Sequence, residues 1–109
     1  MATTQNLTIE QGTTFQLTVA VSNADGTAKD LSTYTPASQM RRSYYSNTYT
    51  AFTAEDDGDG GNITVSLTAA QTAALKAGRY VYDIEAAATA ETIKVLKGII
   101  TVNPEVTRA

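Results

Sequence analysis

The chain has 109 residues and a mass of 11.5 kDa, enough for one domain with one modest core. Apolar residues make up 42% of it and charged residues 17%, a balance that excludes a disordered polymer. Cysteine and histidine are absent, which excludes a disulfide framework, a Cys/His zinc site, a cysteine nucleophile and a Ser–His relay. The net charge of −3 makes the chain a poor default binder of DNA phosphates or anionic lipid.

Alternation of apolar and polar residues predicts most of the secondary structure. It is clearest from Phe15 to Ser22, and such a period of two is typical of a strand with one buried face. The predicted strands are residues 4–10, 15–22, 35–44, 48–54, 63–67, 79–85 and 92–102. Pro36 lacks an amide donor, so we place it at the start of its strand or on a sheet edge. Gly98 predicts a bulge in the last strand.

One short helix is predicted between the fifth and sixth strands. Thr68 and Gln71 have the spacing of a capping box, and the alanines that follow favour a helix over 69–77. Gly78 is the expected stop. We expect the inward-facing strand positions to be mostly buried, namely Leu7, Ile9, Phe15, Leu17, Val19, Val21, Ile63, Val65, Leu67, Ile84 and Ile100.

About seven short strands and one helix predict a mostly β fold. We expect a single antiparallel β-sandwich over 1–109, immunoglobulin-like in the broad sense, with short N- and C-terminal arms. No Cys…Trp…Cys pattern is present, so an antibody-type domain is excluded. The sequence has no apolar run long enough to span a membrane, and residues 1–6 do not resemble a secretory signal, so we expect folding in the cytosol where the chain is made.

The acidic segment from Asp56 to Asn62 is a candidate metal site. Asp56, Asp57, Asp59 and Asn62 offer oxygen ligands of the kind calcium prefers. The EF-hand spacing fails, however, because the fifth position from Asp57 is Gly61 and the twelfth is Thr68. We therefore expect an exposed loop tip with no tightly bound metal.

Two other segments are candidate partner contacts. Arg41-Arg42 followed by Tyr44-Tyr45 is a combination that binders of single-stranded nucleic acid use. Neighbouring strand residues face opposite sides, so the two arginines do not form one patch, and we predict a protein interface without nucleic acid. The second candidate is the C-terminal arm, with Pro104, Glu105, Val106 and Arg108.

No catalytic arrangement is visible. Asp83 and Glu85 lie on one face of a predicted strand, but two carboxylates without histidine, metal or pocket are weak grounds for acid–base chemistry. We expect no enzyme activity, no cofactor and no small-molecule substrate. Tyr80 and Tyr82 are expected to pack in and around the core.

Three blocks of sequence resemble small structural proteins of tailed bacteriophages. The first block runs from Leu31-Ser32-Thr33-Tyr34-Thr35 to Gln39-Met40-Arg41. The second runs from Ile63 through the helix to Leu75. The third joins Gly78-Arg79-Tyr80-Val81-Tyr82-Asp83-Ile84-Glu85, Leu96-Lys97-Gly98-Ile99-Ile100-Thr101-Val102 and Pro104-Glu105-Val106-Thr107-Arg108. A more distant likeness is to the immunoglobulin-like N-terminal domain of the baseplate upper protein of lactococcal phages. Thr33 and Pro36 depart from the family pattern.

This resemblance implies a place in a phage virion after synthesis in the bacterial cytoplasm. It implies no catalytic residues, and partners that are other virion proteins and copies of the chain itself. The leading hypothesis is a multi-copy adaptor at the tail, baseplate or neck that bridges larger components or seats a fibre. One alternative is a decoration protein on the phage head. Another is a non-viral immunoglobulin-like module for carbohydrate binding or adhesion.

Overall fold

The computed structural model describes residues 3–23, 25–57 and 60–106, whose secondary structure is nine strands and one helix. The strands are β1 (Thr3–Thr4), β2 (Leu7–Glu10), β3 (Phe15–Ala20), β4 (Thr35–Arg41), β5 (Thr50–Ala51), β6 (Thr53–Asp56), β7 (Asn62–Leu67), β8 (Gly78–Ala87) and β9 (Thr92–Asn103). The helix α1 covers Ala69–Ala73. The protein is therefore mostly β, as its sequence predicts. No helix in the described ranges is long and apolar enough to cross a membrane.

The strands form two sheets packed into a sandwich. The larger sheet has the order β1-β9-β8-β4-β5, with β2 also paired to β9, and the smaller has the order β3-β7-β6. Both β1 and β2 run parallel to β9, whereas every other pair is antiparallel. The prediction of a purely antiparallel sandwich is therefore wrong at one place, because the N-terminal strands return alongside the last strand in its own direction.

The N-terminal region is two strands, not the single strand predicted over 4–10. Gln5 and Asn6 separate β1 from β2, although the Gln5 amide still donates to the Lys97 carbonyl at 2.9 Å. Gly98 lies beside this break, where a Cβ would overlap the Gln5 carbonyl oxygen. The predicted bulge at Gly98 is also wrong: the irregularity in the β8–β9 ladder falls between Ile84 and Glu85. Gly98 is thus suited to a close backbone approach.

The strand predicted over 48–54 is split because the chain changes sheets within it. β5 pairs with β4 in the larger sheet, and β6 pairs with β7 in the smaller. Phe52 stands at the crossing, where its amide donates to the Ser38 carbonyl at 3.0 Å and its ring lies 5.8 Å from that of Phe15. Its buried ring therefore joins the two layers. The adjacent strand β4 also ends earlier than predicted, at Arg41.

The capping box is present as predicted. Thr68 accepts from the Gln71 amide at 3.2 Å, and the Gln71 side chain accepts from the Thr68 amide at 2.8 Å. The helix is shorter than the predicted 69–77, since it ends at Ala73 with Ala74 as its C-cap. The Leu75 amide donates to the Thr72 carbonyl, which tightens the last turn and leaves Leu75 buried in the core.

The core is fuller on one side of the sandwich than on the other. Six predicted core residues are buried, namely Ile9, Ile63, Val65, Leu67, Ile84 and Ile100. The other five, Leu7, Phe15, Leu17, Val19 and Val21, pack against the core but remain half-buried. Four of these five belong to β3 or directly follow it, and β3 is an edge strand with β7 on one side only. An inward-facing residue on an edge strand lacks a lateral neighbour, so alternation alone overestimates its burial.

Candidate partner-contact surface

Four segments that are distant in sequence meet at one end of the sandwich. The strand registers bring them together, because Glu10 pairs with Asn103, Arg41 with Val81, and Gly78 with Val102. The turn 11–14, the loop 42–49, the segment 68–77 with its helix, and the arm 104–106 therefore share this end. We call it the tyrosine end, after the residues that project from its loop.

Arg41 organises the loop 42–49. Its guanidinium donates to the Ser46 carbonyl at 2.6 Å and to the Gln39 side chain at 2.9 Å, and it lies 4.7 Å from the centre of the Tyr49 ring. Two hydrogen bonds and a cation–π contact hold this half-buried side chain in place. Arg41 therefore acts as an internal support of the loop more than as a free cation.

The loop presents three exposed tyrosines to solvent. The exposed fraction is 77% for Tyr44, 93% for Tyr45 and 53% for Tyr49. Large aromatic side chains are enriched at protein interfaces, since they bury much area for little lost rotamer freedom. Tyr44 also borders a shallow groove on the outer face of the larger sheet, next to Arg41 and Val81. The loop thus offers a supported aromatic surface, which is suited to contact with another protein.

Arg42 points elsewhere, as the sequence argument expected. Its guanidinium lies 5.0 Å from the centre of the Tyr80 ring and donates to the Ala77 carbonyl at 3.4 Å. It lies also against Gly78, whose φ of +135° belongs to the region that favours glycine. Arg42 therefore connects the loop to the chain that follows the helix, and the two arginines serve different contacts.

Gln11 anchors the C-terminal arm. Its side-chain amide donates to the Leu75 carbonyl at 2.6 Å, and its oxygen accepts from the Glu105 amide at 3.1 Å. Asn103 adds a 2.7 Å bond to the Glu10 carboxylate. The Glu105 carboxylate lies against Gly12, where a Cβ would overlap it. The arm is therefore held against its own domain as far as Glu105.

Beyond that anchor the arm carries an exposed apolar side chain. Val106 is 96% exposed, and Pro104 is exposed as well. The predicted contact residue Arg108 lies outside the described residues. Val106 adds aliphatic surface to the end of the molecule that carries the three tyrosines.

Sequence reasoning missed Tyr49 and Gln11. The strand predicted over 48–54 includes Tyr49, yet Tyr49 lies on the exposed loop and stacks with Arg41. Its closeness to Tyr44 and Tyr45 in the sequence was the available signal. Gln11 falls between the strands predicted over 4–10 and 15–22, and nothing in the neighbouring sequence indicates bonds to residues 64 and 94 positions away.

The acidic segment lies at the opposite end. Asp57 accepts from the Asn62 amide at 2.9 Å with one carboxylate oxygen and from the Asn62 side chain at 2.9 Å with the other. These bonds, the backbone bond foremost, lower the pKa of Asp57. Asp56 and Asn62 belong to strands and are half-buried, so the exposed loop is shorter than predicted. Gly58 and Asp59 lie outside the described residues.

No three acidic residues converge on one point within 3–23, 25–57 and 60–106. Two other carboxylates at this end close local turns. Asp25 accepts from the Thr27 hydroxyl at 2.6 Å and Asp30 from the Ser32 amide at 2.9 Å, and hydrogen bonds from these partners lower the pKa of both acids. The acids are thus distributed over separate turns.

The two ends carry opposite charge. The acidic end holds Asp25, Asp30, Asp56, Asp57 and Glu91 together with the cation Lys29. The tyrosine end holds Arg41, Arg42, Lys76 and Arg79 against Glu10 and Glu105. The ends lie along a molecule whose principal extents are 45 × 28 × 21 Å. Charge is therefore separated along the strands, and a basic, aromatic end faces away from an acidic one.

Asp83 and Glu85 are both bound to one cation. Lys94 lies 2.9 Å from the Asp83 carboxylate and 3.0 Å from that of Glu85, with all three side chains partly exposed. Hydrogen bonds to Asp83 and then to Glu85 raise the pKa of Lys94. The arrangement is that of an ordinary surface ion-pair cluster.

Comparison with known proteins relates the chain to others through its fold. No protein-family model and no curated protein matches the sequence. Among solved structures, the crystal structure of Listeria monocytogenes InlP superposes with a TM-score of 0.50 at 17% sequence identity. The match covers 94% of this chain and 28% of the InlP chain. A likeness at this identity concerns the fold alone, so the chain has the architecture of a part of that larger protein.

Proposed function

We propose that this protein is a non-enzymatic structural component of a tailed-bacteriophage virion. It would act as a multi-copy adaptor at the tail, baseplate or neck that bridges larger components or seats a fibre. The proposal begins from the sequence blocks that resemble phage structural proteins. The observation that carries it further is the tyrosine end, where Tyr44, Tyr45, Tyr49 and Val106 are each exposed. Interfaces favour such residues at their centres.

We further propose that the sandwich is immunoglobulin-like. The strand order β3-β7-β6 opposite β9-β8-β4-β5, with an N-terminal strand parallel to the last strand, supports this assignment. So does the chain's transfer between sheets at Phe52. Loops gathered at the ends of such a sandwich vary without disturbing the core, which suits a module that attaches one component to another.

A decoration protein on the phage head is the alternative within the virion. Both roles need a small, stable domain with an exposed contact surface, and they differ in copy number. Quantitative mass spectrometry of purified virions of the phage that encodes this chain separates them. Copies on the order of tens per particle support the tail or neck adaptor, and copies on the order of hundreds support the head lattice. Absence from the particle contradicts both.

The exposed tyrosines also favour a third hypothesis, a carbohydrate-binding or adhesion module, because sugar rings stack on aromatic faces.

A direct test of the virion role compares particle incorporation of the wild type with that of Tyr44→Ser/Tyr45→Ser, supplied in trans to a phage that lacks the gene. We expect incorporation to fall at least about tenfold, since contact aromatics carry much of an interface's binding energy. Thr92→Ser, at an exposed position where β9 begins at the opposite end of the sandwich, is the control. Full incorporation of the double variant would remove the tyrosine end from the proposal.

A further inference from the structure

The outer edge of β3 is open. β3 pairs with β7 on one side, and no other strand of the described chain pairs with its far side. The Val21 amide donates to the Gly61 carbonyl at 2.7 Å. Backbone groups alternate in direction along an antiparallel ladder, so the backbone amides and carbonyls of the odd-numbered residues of β3 point toward β7. The amides and carbonyls of Gln16, Thr18 and Ala20 therefore point outward.

This edge lacks the usual protection against pairing. Natural edges are guarded by charge, by proline, by a bulge or by shortness. The opposite edge of the same sheet, β6, carries Glu55 and Asp56, and β5 at the edge of the larger sheet has two residues. β3 has six residues, no charge, no proline and no break in its register with β7. Among the edge strands of the described residues, β3 is the longest and the only one without any of these protective features.

The sandwich is also open next to this edge. A cleft there is lined by Val19 and Val21 on one sheet and by Ile93 and Val95 on the other, and all four side chains are half-buried. A strand added beside β3 would extend the smaller sheet over this cleft. Such a strand needs apolar residues at alternate positions, to face the cleft, and uncharged residues between them.

β3 itself meets that description, with Phe15, Leu17 and Val19 alternating with Gln16, Thr18 and Ala20. We propose that two copies of this protein pair through β3, antiparallel and about a twofold axis at Thr18. Each outward amide and carbonyl then finds a partner, with Gln16 opposite the partner's Ala20. The partner's Leu17 and Phe15 come to lie beside Val19 and Val21. No like charges meet across the axis, and the two Thr18 side chains form a favourable cross-strand pair.

The proposed pairing is independent of the proposed function and places the tyrosine end of each copy outside the contact. Its first test is the solution mass of the purified full-length chain by light scattering and sedimentation equilibrium. We expect a species of twice 11.5 kDa. Thr18→Lys brings two ammonium groups together at the axis and should weaken dimerisation by about 100-fold or more. Thr53→Lys adds the same charge on the opposite edge and should leave the dimer intact.

A second pair of variants tests the hydrogen bonds themselves. Thr18→Pro removes an amide that points away from β7, so the internal ladder keeps its bonds while the dimer loses two across the axis. We expect a folded monomer, with Thr18→Ala still dimeric. Hydrogen exchange at the Gln16, Thr18 and Ala20 amides should be slow in the wild type and fast in Thr18→Lys. A monomeric wild type, or a Thr18→Lys dimer as tight as that of the wild type, would overturn the proposal.

Discussion

The hydroxyl of Tyr82 donates a 2.6 Å hydrogen bond to the carbonyl of Gln5, 77 residues earlier in the chain. Tyr82 is buried in β8, and Gln5 lies at the break between β1 and β2. The Gln5 amide is bonded to Lys97, and Gly98 lies directly against the Gln5 carbonyl. The backbone amide and carbonyl of the single residue Gln5 therefore connect the N-terminal strands to β8 and β9.

Tyr82 should make stability fall at high pH. Burial raises the pKa of its phenol from 10.0 to about 12. The unfolded chain thus loses this proton at a lower pH than the folded protein does, so stability is complete below pH 10 and declines as the pH rises toward 12. Urea unfolding of the wild type and Tyr82→Phe across this range measures the effect. We expect a shallower decline in the variant, and equal declines would refute this role.

Gly98→Ala should displace the N-terminal strands. The new methyl group overlaps the Gln5 carbonyl, which accepts from the Tyr82 hydroxyl. Moving Gln5 away would strain that bond and the bond from the Gln5 amide to the Lys97 carbonyl. We expect a loss of about 1–3 kcal/mol of unfolding free energy, together with faster hydrogen exchange at the Gln5 amide. Lys97→Ala, at the exposed neighbouring position, should change stability by less than about 0.5 kcal/mol. Unchanged exchange at Gln5 in Gly98→Ala would count against the close approach.

Asp57 should contribute to acid sensitivity. Its folded-state pKa lies below the ordinary value of 3.8, because Asn62 donates to the ionised carboxylate. The stabilisation is therefore complete above about pH 4 and is lost as the pH falls through the folded-state pKa. Asp57→Asn should lower stability at pH 7 and lose less than the wild type on acidification to pH 3. Thermal melts at the two pH values measure both effects, and parallel losses would contradict the prediction.

Leu67 and Leu17, which both lie at inward positions of the two-residue pattern, should contribute differently to the free energy of unfolding. Leu67 in the central strand β7 is buried, whereas Leu17 on β3 is half-buried although the two-residue period treats them alike. We expect Leu67→Ala to cost about 3–4 kcal/mol and Leu17→Ala about 1–2 kcal/mol. Chemical unfolding at protein concentrations low enough to keep the chain monomeric compares them. Equal losses of unfolding free energy would mean that Leu17 is as well buried in the monomer as Leu67, and would contradict the prediction.

The predictable part of the fold is that set by local chemistry. The two-residue period located β3 and β7, and the spacing of Thr68 and Gln71 located the helix start, because strand faces and caps depend on nearby residues. The break at Gln5, the sheet change at Phe52 and the parallel pairing of β2 with β9 were not predictable in this way. Each depends on a neighbour brought from elsewhere in the chain, such as Gly98 or Ser38.

The candidate site also has a part that the sequence predicts and a part that depends on the tertiary fold. Tyr44 and Tyr45 can be identified from the sequence because they closely follow two arginines, and both are exposed in the structure. The support that Arg41 gives them through Ser46 and Tyr49 depends on how the loop folds back after β4. The attachment of Glu105 to Gln11 depends on the registers of β2 and β9. Sequence thus located the exposed surface, and the tertiary fold determined what holds it.

The position of β9 has a consequence for how the chain folds as it is synthesised. β9 is the last strand in the sequence, yet it lies inside the larger sheet, with β1 and β2 on one side and β8 on the other. Until a nascent chain has emerged past Asn103, β9 is missing, and β1, β2 and β8 lack the strand with which they pair. The smaller sheet and the helix come from residues that precede β9 in the chain, but closure of the larger sheet waits for β9. Long-range closure of this kind slows folding, so the emergence of β9 becomes the step that commits the domain.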